Sequence, residues 1–136
     1  MTPKQINADI SVSPQILADD IKEIADLGYK AVICNRPDGE AFDQQDYQEI
    51  EAAAVAAGLE IRYLPITSGG LMEDDVLAFD AAFAELPKPV FAYCRSGTRC
   101  ATVWAVAESR KRPVEDIVRE AATAGYDLRP MFGLAG

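Results

Sequence analysis

Apolar and polar residues alternate from Ile10 to Ile16, the period of a half-buried strand, so this stretch predicts the first strand. Asp19 to Leu27 then takes a helical period. Ile21, Ile24 and Ala25 fall on one stripe, acidic residues open the segment and Gly28 closes it. Ala31-Val32-Ile33-Cys34 has no polar position and predicts a buried strand within Lys30 to Asn35. Arg36-Pro37-Asp38-Gly39 reads as a turn, and Gln44 to Ala57 as an alanine-rich helix ended by Gly58. Leu59 to Ile66 predicts a strand that runs into the loop Thr67-Ser68-Gly69-Gly70. Glu73 to Leu86 predicts a helix with acidic residues in its first turn, broken by Pro87-Lys88-Pro89. Val90 to Tyr93 predicts a buried strand, and Thr98 to Arg110 and Val114 to Ala124 the last two helices.

This alternation of strand and helix predicts an α/β fold, a mainly parallel sheet with helices on both faces. A length of 136 residues suits a single domain over residues 1–136, and no repeat, low-complexity tract or linker interrupts it. Sheets of this kind bind ligands beyond the carboxyl ends of their strands. That rule gathers Cys34, the loop with Thr67 and Ser68, and Cys94 at one edge.

Charge narrows the partners. A net charge of −9 repels nucleic acid and anionic membrane, so neither is expected to bind. No stretch approaches the roughly 18 apolar residues of a membrane span. Met1 to Asp9 lacks a basic region followed by an apolar run, so no signal peptide is expected. Three cysteines without a framework spacing point to a reducing compartment, and the cytoplasm is the expected location. The chain has no histidine. This removes Ser-His-Asp and Cys-His catalysis and most catalytic zinc sites, and no metal or cofactor is expected.

One segment carries chemistry that needs no imidazole. The strand ending at Tyr93 runs into Cys94-Arg95-Ser96-Gly97-Thr98-Arg99, and a helix follows. Successive N–H groups from Arg95 to Arg99 can form an anion-binding nest, to which the helix N-terminus adds positive potential. Arg99 adds a permanent charge with bidentate donors. The same field stabilises a thiolate: cysteines at helix N-termini have pKa values of about 3.5–7.5 instead of about 8.5. Cys94 is therefore the candidate nucleophile and Arg99 the candidate oxyanion holder, with Arg95, Ser96, Gly97, Thr98 and Cys100 as the rest of the loop. The plain alternative is a structural cysteine at a strand end.

The segments Ile10 to Ile16, Gly28 to Glu40, Tyr63 to Ile66, Tyr93 to Ala101 and Ala124 to Leu128 together resemble the phosphatase-like domain of β-lactamase hydrolase-like proteins. The resemblance implies a fold like dual-specificity phosphatases. It also implies a link to sulfide and persulfide metabolism, with a persulfide dioxygenase as a partner, because relatives occur fused to such a domain. Three departures from the phosphatase pattern stand out. Four residues separate Cys94 from Arg99 where cysteine phosphatases have five, a spacing similar to rhodanese sulfurtransferases. Tyr93 stands where those phosphatases usually have His. Thr67-Ser68-Gly69-Gly70 stands where they carry an Asp general acid.

Protonation helps an alkoxide leave, whereas sulfite or a thiolate leaves without it. The expected function is accordingly sulfur transfer, from a small anionic donor to a thiol acceptor through a Cys94 persulfide. The alternative is a cysteine-dependent phosphatase acting through phosphocysteine, and a silent anion-binding module comes third. Arg36 and Asp38 are expected to line the pocket or to serve the turn. Glu73, Asp74 and Asp75 are expected to be helix-terminal charges rather than acids. Cys100 reads as a small residue packed into its helix. Cys34 resembles a cysteine that in some phosphatases protects the nucleophile as a disulfide. It is expected nearer to Cys94, in useful orientation, than Cys100 is.

Overall fold

The computed structural model describes residues 1–134. Five strands form one sheet in the order β1-β2-β5-β3-β4. They are β1 (Lys4–Asn7), β2 (Ile10–Ser13), β3 (Ala31–Cys34), β4 (Glu60–Tyr63) and β5 (Val90–Tyr93). Five α-helices connect and cover them: α1 (Ile21–Asp26), α2 (Tyr47–Ala56), α3 (Glu73–Glu85), α4 (Thr98–Ser109) and α5 (Val114–Thr123). Single turns of 3-10 helix precede α1 and follow α5, at Ala18–Asp20 and Pro130–Phe132. All pairings are parallel except β1 with β2. The predicted α/β architecture, with its mainly parallel sheet and helices on both faces, is the one observed.

The two helical layers follow from strand alternation. Side chains on a strand point to opposite faces in turn. Ala31, Ile33, Val90 and Ala92 face α3, α4 and α5, joining Phe79, Trp104 and Ile117 in one core. Val32, Cys34, Phe91 and Tyr93 face α1 and α2, joining Ile24 and Ile50 in the other. β3 and β5 are buried at every position because both faces are covered, which accounts for their unbroken apolar runs.

Two local expectations are corrected. β1 is absent from the predicted elements, because only Ile6 of Lys4–Asn7 is buried and one inward residue leaves no periodic signal. The strand predicted over Ile10 to Ile16 ends at Ser13, where Pro14 follows and cannot donate to the ladder. Among the described residues no helix is long and apolar enough to cross a membrane.

The central parallel register fixes the site. Ser13, Tyr93 and Cys34 lie in one row across β2, β5 and β3, and Tyr63 of β4 continues it. Cys94 is the next residue past that row. Its N–H donates to the Ser13 carbonyl at 3.2 Å, and the Asn35 N–H donates to the Tyr93 carbonyl at 2.9 Å. The carboxyl edge is therefore tied together where the cysteine loop leaves it.

Trp104 is fully buried on α4, whereas Phe42 is fully exposed. We expect Trp104→Ala to lower stability by about 3–5 kcal/mol and Phe42→Ala to change it by less than about 0.5 kcal/mol. Urea unfolding of both variants checks this, and equal effects would contradict the layering described above.

Candidate active site

The loop from Cys94 to Arg99 closes tightly because Gly97 adopts φ 89°, a left-handed conformation open to glycine. This turn aims backbone donors at the sulfur. The Gly97 N–H donates to Cys94 Sγ at 3.1 Å. The Cys100 thiol and the N–H groups of Cys100, Ser96 and Arg99 lie around it and favour its charged form. Cys94 is fully buried, which opposes ionisation. The donors outweigh the burial: the Cys100 thiol first and the backbone groups after it hold the Cys94 pKa down to about 5, from an ordinary 9.0. Burial, and then the neighbouring Cys94, push the Cys100 thiol well up, so it keeps its proton and remains a donor.

One peptide is gripped from both sides. The Tyr126 hydroxyl donates to the Ser96 carbonyl at 2.9 Å. In a trans peptide the C=O and the following N–H point in opposite directions. Anchoring the Ser96 carbonyl on Tyr126 therefore turns the Gly97 N–H toward the sulfur. A Cβ on Gly97 would be driven into the same phenol oxygen, so both the conformation and the space at this position require glycine.

Arg99 is paired with a carboxylate that sequence reasoning did not single out. Its Nη1 donates to Glu40 Oε2 at 2.7 Å and its Nη2 to Glu40 Oε1 at 2.8 Å. Nη1 also donates to the Ile66 carbonyl at 2.8 Å. A guanidinium carries a further donor on Nη2 and one on Nε. That edge of Arg99 has no partner among the described residues and is available to an anion. Arg36 holds Glu40 from the other side, through Nε at 2.9 Å, and donates to Gln15 Oε1 at 3.1 Å. The hydrogen bond from Arg99, then that from Arg36, lower the Glu40 pKa to about 2. At neutral pH Glu40 is ionised and has no proton to give.

Asn35 sets the height of the facing loop. Its carbonyl accepts from the Ile66 N–H at 2.9 Å, and its side-chain amide donates to the Leu64 carbonyl at 2.8 Å. This places Ile66 to receive Arg99 and brings Thr67 and Ser68 over the cysteine loop. A cavity of about 590 Å³ lies between the two loops, with Arg95, Ser96, Thr98 and Arg99 on one wall and Ile66, Thr67, Ser68 and Leu71 on the other. A smaller cavity of about 340 Å³ adjoins it, walled by Arg36, Glu40, Ala41, Ser68, Arg95 and Arg99.

The remaining sequence candidates divide. Asp38 serves the turn: its carboxylate accepts from the Tyr47 N–H at 2.8 Å, and its N–H donates to the Tyr63 hydroxyl at 2.9 Å. It lines neither cavity. Glu73 accepts from Arg110, at the far end of α4. Glu73 too lines neither cavity. Asp75 accepts from the Met72 N–H in a capping arrangement. No acidic residue lines the larger cavity.

Cys34 is not where the resemblance places it. It pairs in register with Tyr93, so it shares the face of Tyr93, and Cys94, one residue later, takes the opposite face. Its thiol donates to the Arg36 carbonyl at 3.3 Å, and burial raises its pKa to about 11. Cys34 therefore lies in the layer opposite Cys94, and Cys100 shares the layer of Cys94. Cys100 is fully buried in the packing of α4, as expected, and its thiol lies close enough to Cys94 to favour the charged sulfur.

The family described as "Beta-lactamase hydrolase-like protein, phosphatase-like domain" matches residues 3–111. The chain belongs to this family. A beta-lactamase hydrolase-like protein from Agrobacterium fabrum is 32% identical over 130 residues, which are 94% of this chain but 30% of the relative. The chain thus spans under a third of that protein. The crystal structure of a phosphatase candidate from Neisseria meningitidis shares 35% identity at a TM-score of 0.81, covering 93% of this chain and 91% of that one. Tk-PTP in its active form superposes at a TM-score of 0.69 with 20% identity, covering 92% of this chain and 85% of that one, and shows the shared fold alone. The dual-specificity-phosphatase-like fold implied by the sequence is the observed one.

Three outcomes are expected of this family member's loop. The alkylation rate of Cys94 should inflect near pH 5, falling as the thiolate is protonated below it. Tyr126→Phe should release the Ser96 carbonyl. Loss of one charged hydrogen bond, about 1.5–3 kcal/mol, would raise the inflection by roughly 1–2 units. Glu40→Gln should leave Arg99 without its ionic anchor, seen as faster exchange of the Arg99 side-chain N–H groups in NMR. An inflection near 9 in the wild type, or one that Tyr126→Phe does not move, would contradict the arrangement.

Proposed function

We propose that this chain is a cysteine-dependent phosphatase acting through a Cys94 phosphocysteine, on substrates whose leaving groups depart without protonation. The observation that carries this reading is the Cys94 sulfur, set among loop N–H groups and the Cys100 thiol, with Arg99, whose Nε edge is unclaimed, on the wall of the adjoining cavity. The thiolate attacks phosphorus and the P–O bond to the leaving group breaks, so the leaving group departs with the bonding electron pair. Arg99 and the loop N–H groups hold the phosphoryl oxygens as charge builds on them. Water then cleaves the S–P bond, giving inorganic phosphate and the thiolate again. With Glu40 ionised and no acid in the larger cavity, the first step lacks a proton donor. Aryl and acyl phosphates fit this limit, and simple alkyl phosphates do not.

Sulfur transfer, the first expectation from sequence, becomes the second reading. The matching family and the structures reported above carry phosphatase descriptions, and none of the names mentions sulfur transfer. One specific observation still favours it: four residues separate Cys94 from Arg99, and the cavity without an acid suits a leaving group such as sulfite. In that reaction the thiolate takes the outer sulfur of thiosulfate and sulfite leaves with the electron pair. An acceptor thiol then removes the sulfur, and a persulfide dioxygenase would act downstream of it.

A paired assay separates the readings. An aryl phosphate, an alkyl phosphate, and thiosulfate with cyanide would each be offered to the protein and to Cys94→Ser. We expect aryl phosphate turnover to exceed alkyl by about 100-fold or more, the typical weight of a missing general acid, and to vanish in the variant. Turnover of thiosulfate alone would replace the phosphatase reading with sulfur transfer. No turnover of any of them would make the loop a silent anion-binding module.

A further inference from the structure

Among the described residues, every arginine except Arg95 lies within ion-pair distance of a carboxylate. The chain carries 22 acidic residues against 13 basic ones, so carboxylate partners are in surplus. The unpaired guanidinium is also exposed, and it stands on the wall shared by the two cavities over the cysteine loop. The smaller cavity is strongly cationic. Arg36, Arg95 and Arg99 face it with Glu40 as their one carboxylate, and Glu40 is already committed to Arg36 and Arg99. Ser68 adds a hydroxyl to the same wall.

We propose that the smaller cavity is a subsite for a second anionic group, recognised by Arg95. The preferred substrate is then a small molecule with a carboxylate or phosphate beside its reacting group. This rests on Cys94 being the reacting centre, as proposed above. The reacting group sits on the cysteine loop against the free edge of Arg99, and the second anion spans to Arg95 within the adjoining cavity. Arg36 contributes field there but not a free guanidinium, because its Nε and Nη1 are committed to Glu40 and Gln15. Arginine suits the task because its planar donors match carboxylate and phosphate alike. The organic body of the substrate lies along Ile66 and Leu71 in the larger cavity.

Protection of Cys94 from alkylation tests this without requiring turnover. The probes are pyrophosphate against phosphate, and phosphonoacetate against methylphosphonate. The first pair asks about a second phosphate and the second about a carboxylate. We expect at least one bis-anionic probe to protect at a concentration about tenfold or more below its simpler partner, the size of one charged hydrogen-bonded pair. Arg95→Ala should collapse that ratio to near one and Arg95→Lys should restore part of it. Arg119→Ala, which removes an equal charge from α5, should leave it unchanged. No preference in the wild type, or a preference that survives Arg95→Ala, would overturn the subsite. If the preference holds while the phosphates are not hydrolysed, the subsite stands and the phosphatase reading falls. If phosphates are hydrolysed without the preference, the phosphatase reading stands and the subsite falls.

Discussion

A thiolate withdrawn from water is unfavourable unless donors surround it. In this chain, which has no histidine, those donors come from the backbone and from a neutral thiol. The loop after β5 meets that requirement with N–H groups turned inward, a thiol on the first turn of α4, and the N-terminal end of that helix. Each of these depends on something more distant. Tyr126, beyond α5, fixes the Ser96 peptide, and the parallel register of β2, β5 and β3 fixes where the loop begins. The lowered pKa of Cys94 thus depends on the whole α4–α5 side of the sheet.

The second constraint is the placement of Arg99. A long cationic side chain beside a thiolate would tend to pair with it directly or swing into solvent. Glu40 and the Ile66 carbonyl hold it by one edge and leave the other without a partner among the described residues. Arg36 keeps Glu40 in place at the cost of one further charge, and Gln15 steadies Arg36. This chain of contacts reaches from the end of β2 through the turn after β3 to the loop after β4. Three strand ends are therefore needed to present one guanidinium edge. The same network also keeps Glu40 ionised, which is the basis for the limit on leaving groups proposed above.

The sequence is informative where a local pattern implies a local structure. Val90 to Arg110 shows a buried strand, a turn with glycine at its left-handed position, and a helix, and those elements are observed. The unbroken apolar runs of β3 and β5 likewise reflect burial on both faces. Contacts between distant segments are not legible. Glu40 lies 59 residues from Arg99 and Tyr126 lies 30 from Ser96, and nothing in their own neighbourhoods announces either bond. A signal for Glu40 does exist: Arg36, at the end of a fully buried strand, needs a counter-charge close by. Cys34 departs from expectation for a different reason. Its distance along the strand is as expected, but the face it occupies depends on pairing with Tyr93 rather than with Cys94, a one-residue difference that reverses the outcome.

The central claim is that a covalent bond forms between substrate phosphorus and the Cys94 sulfur. Rapid acid quenching of the protein during turnover of an aryl phosphate, followed by mass spectrometry of its peptides, tests it most directly. A phosphoryl adduct is expected on the Cys94 peptide, absent from Cys94→Ser and absent from the peptides that carry Cys34. An adduct on another residue, or product formation with no adduct at Cys94 at any time, would contradict it.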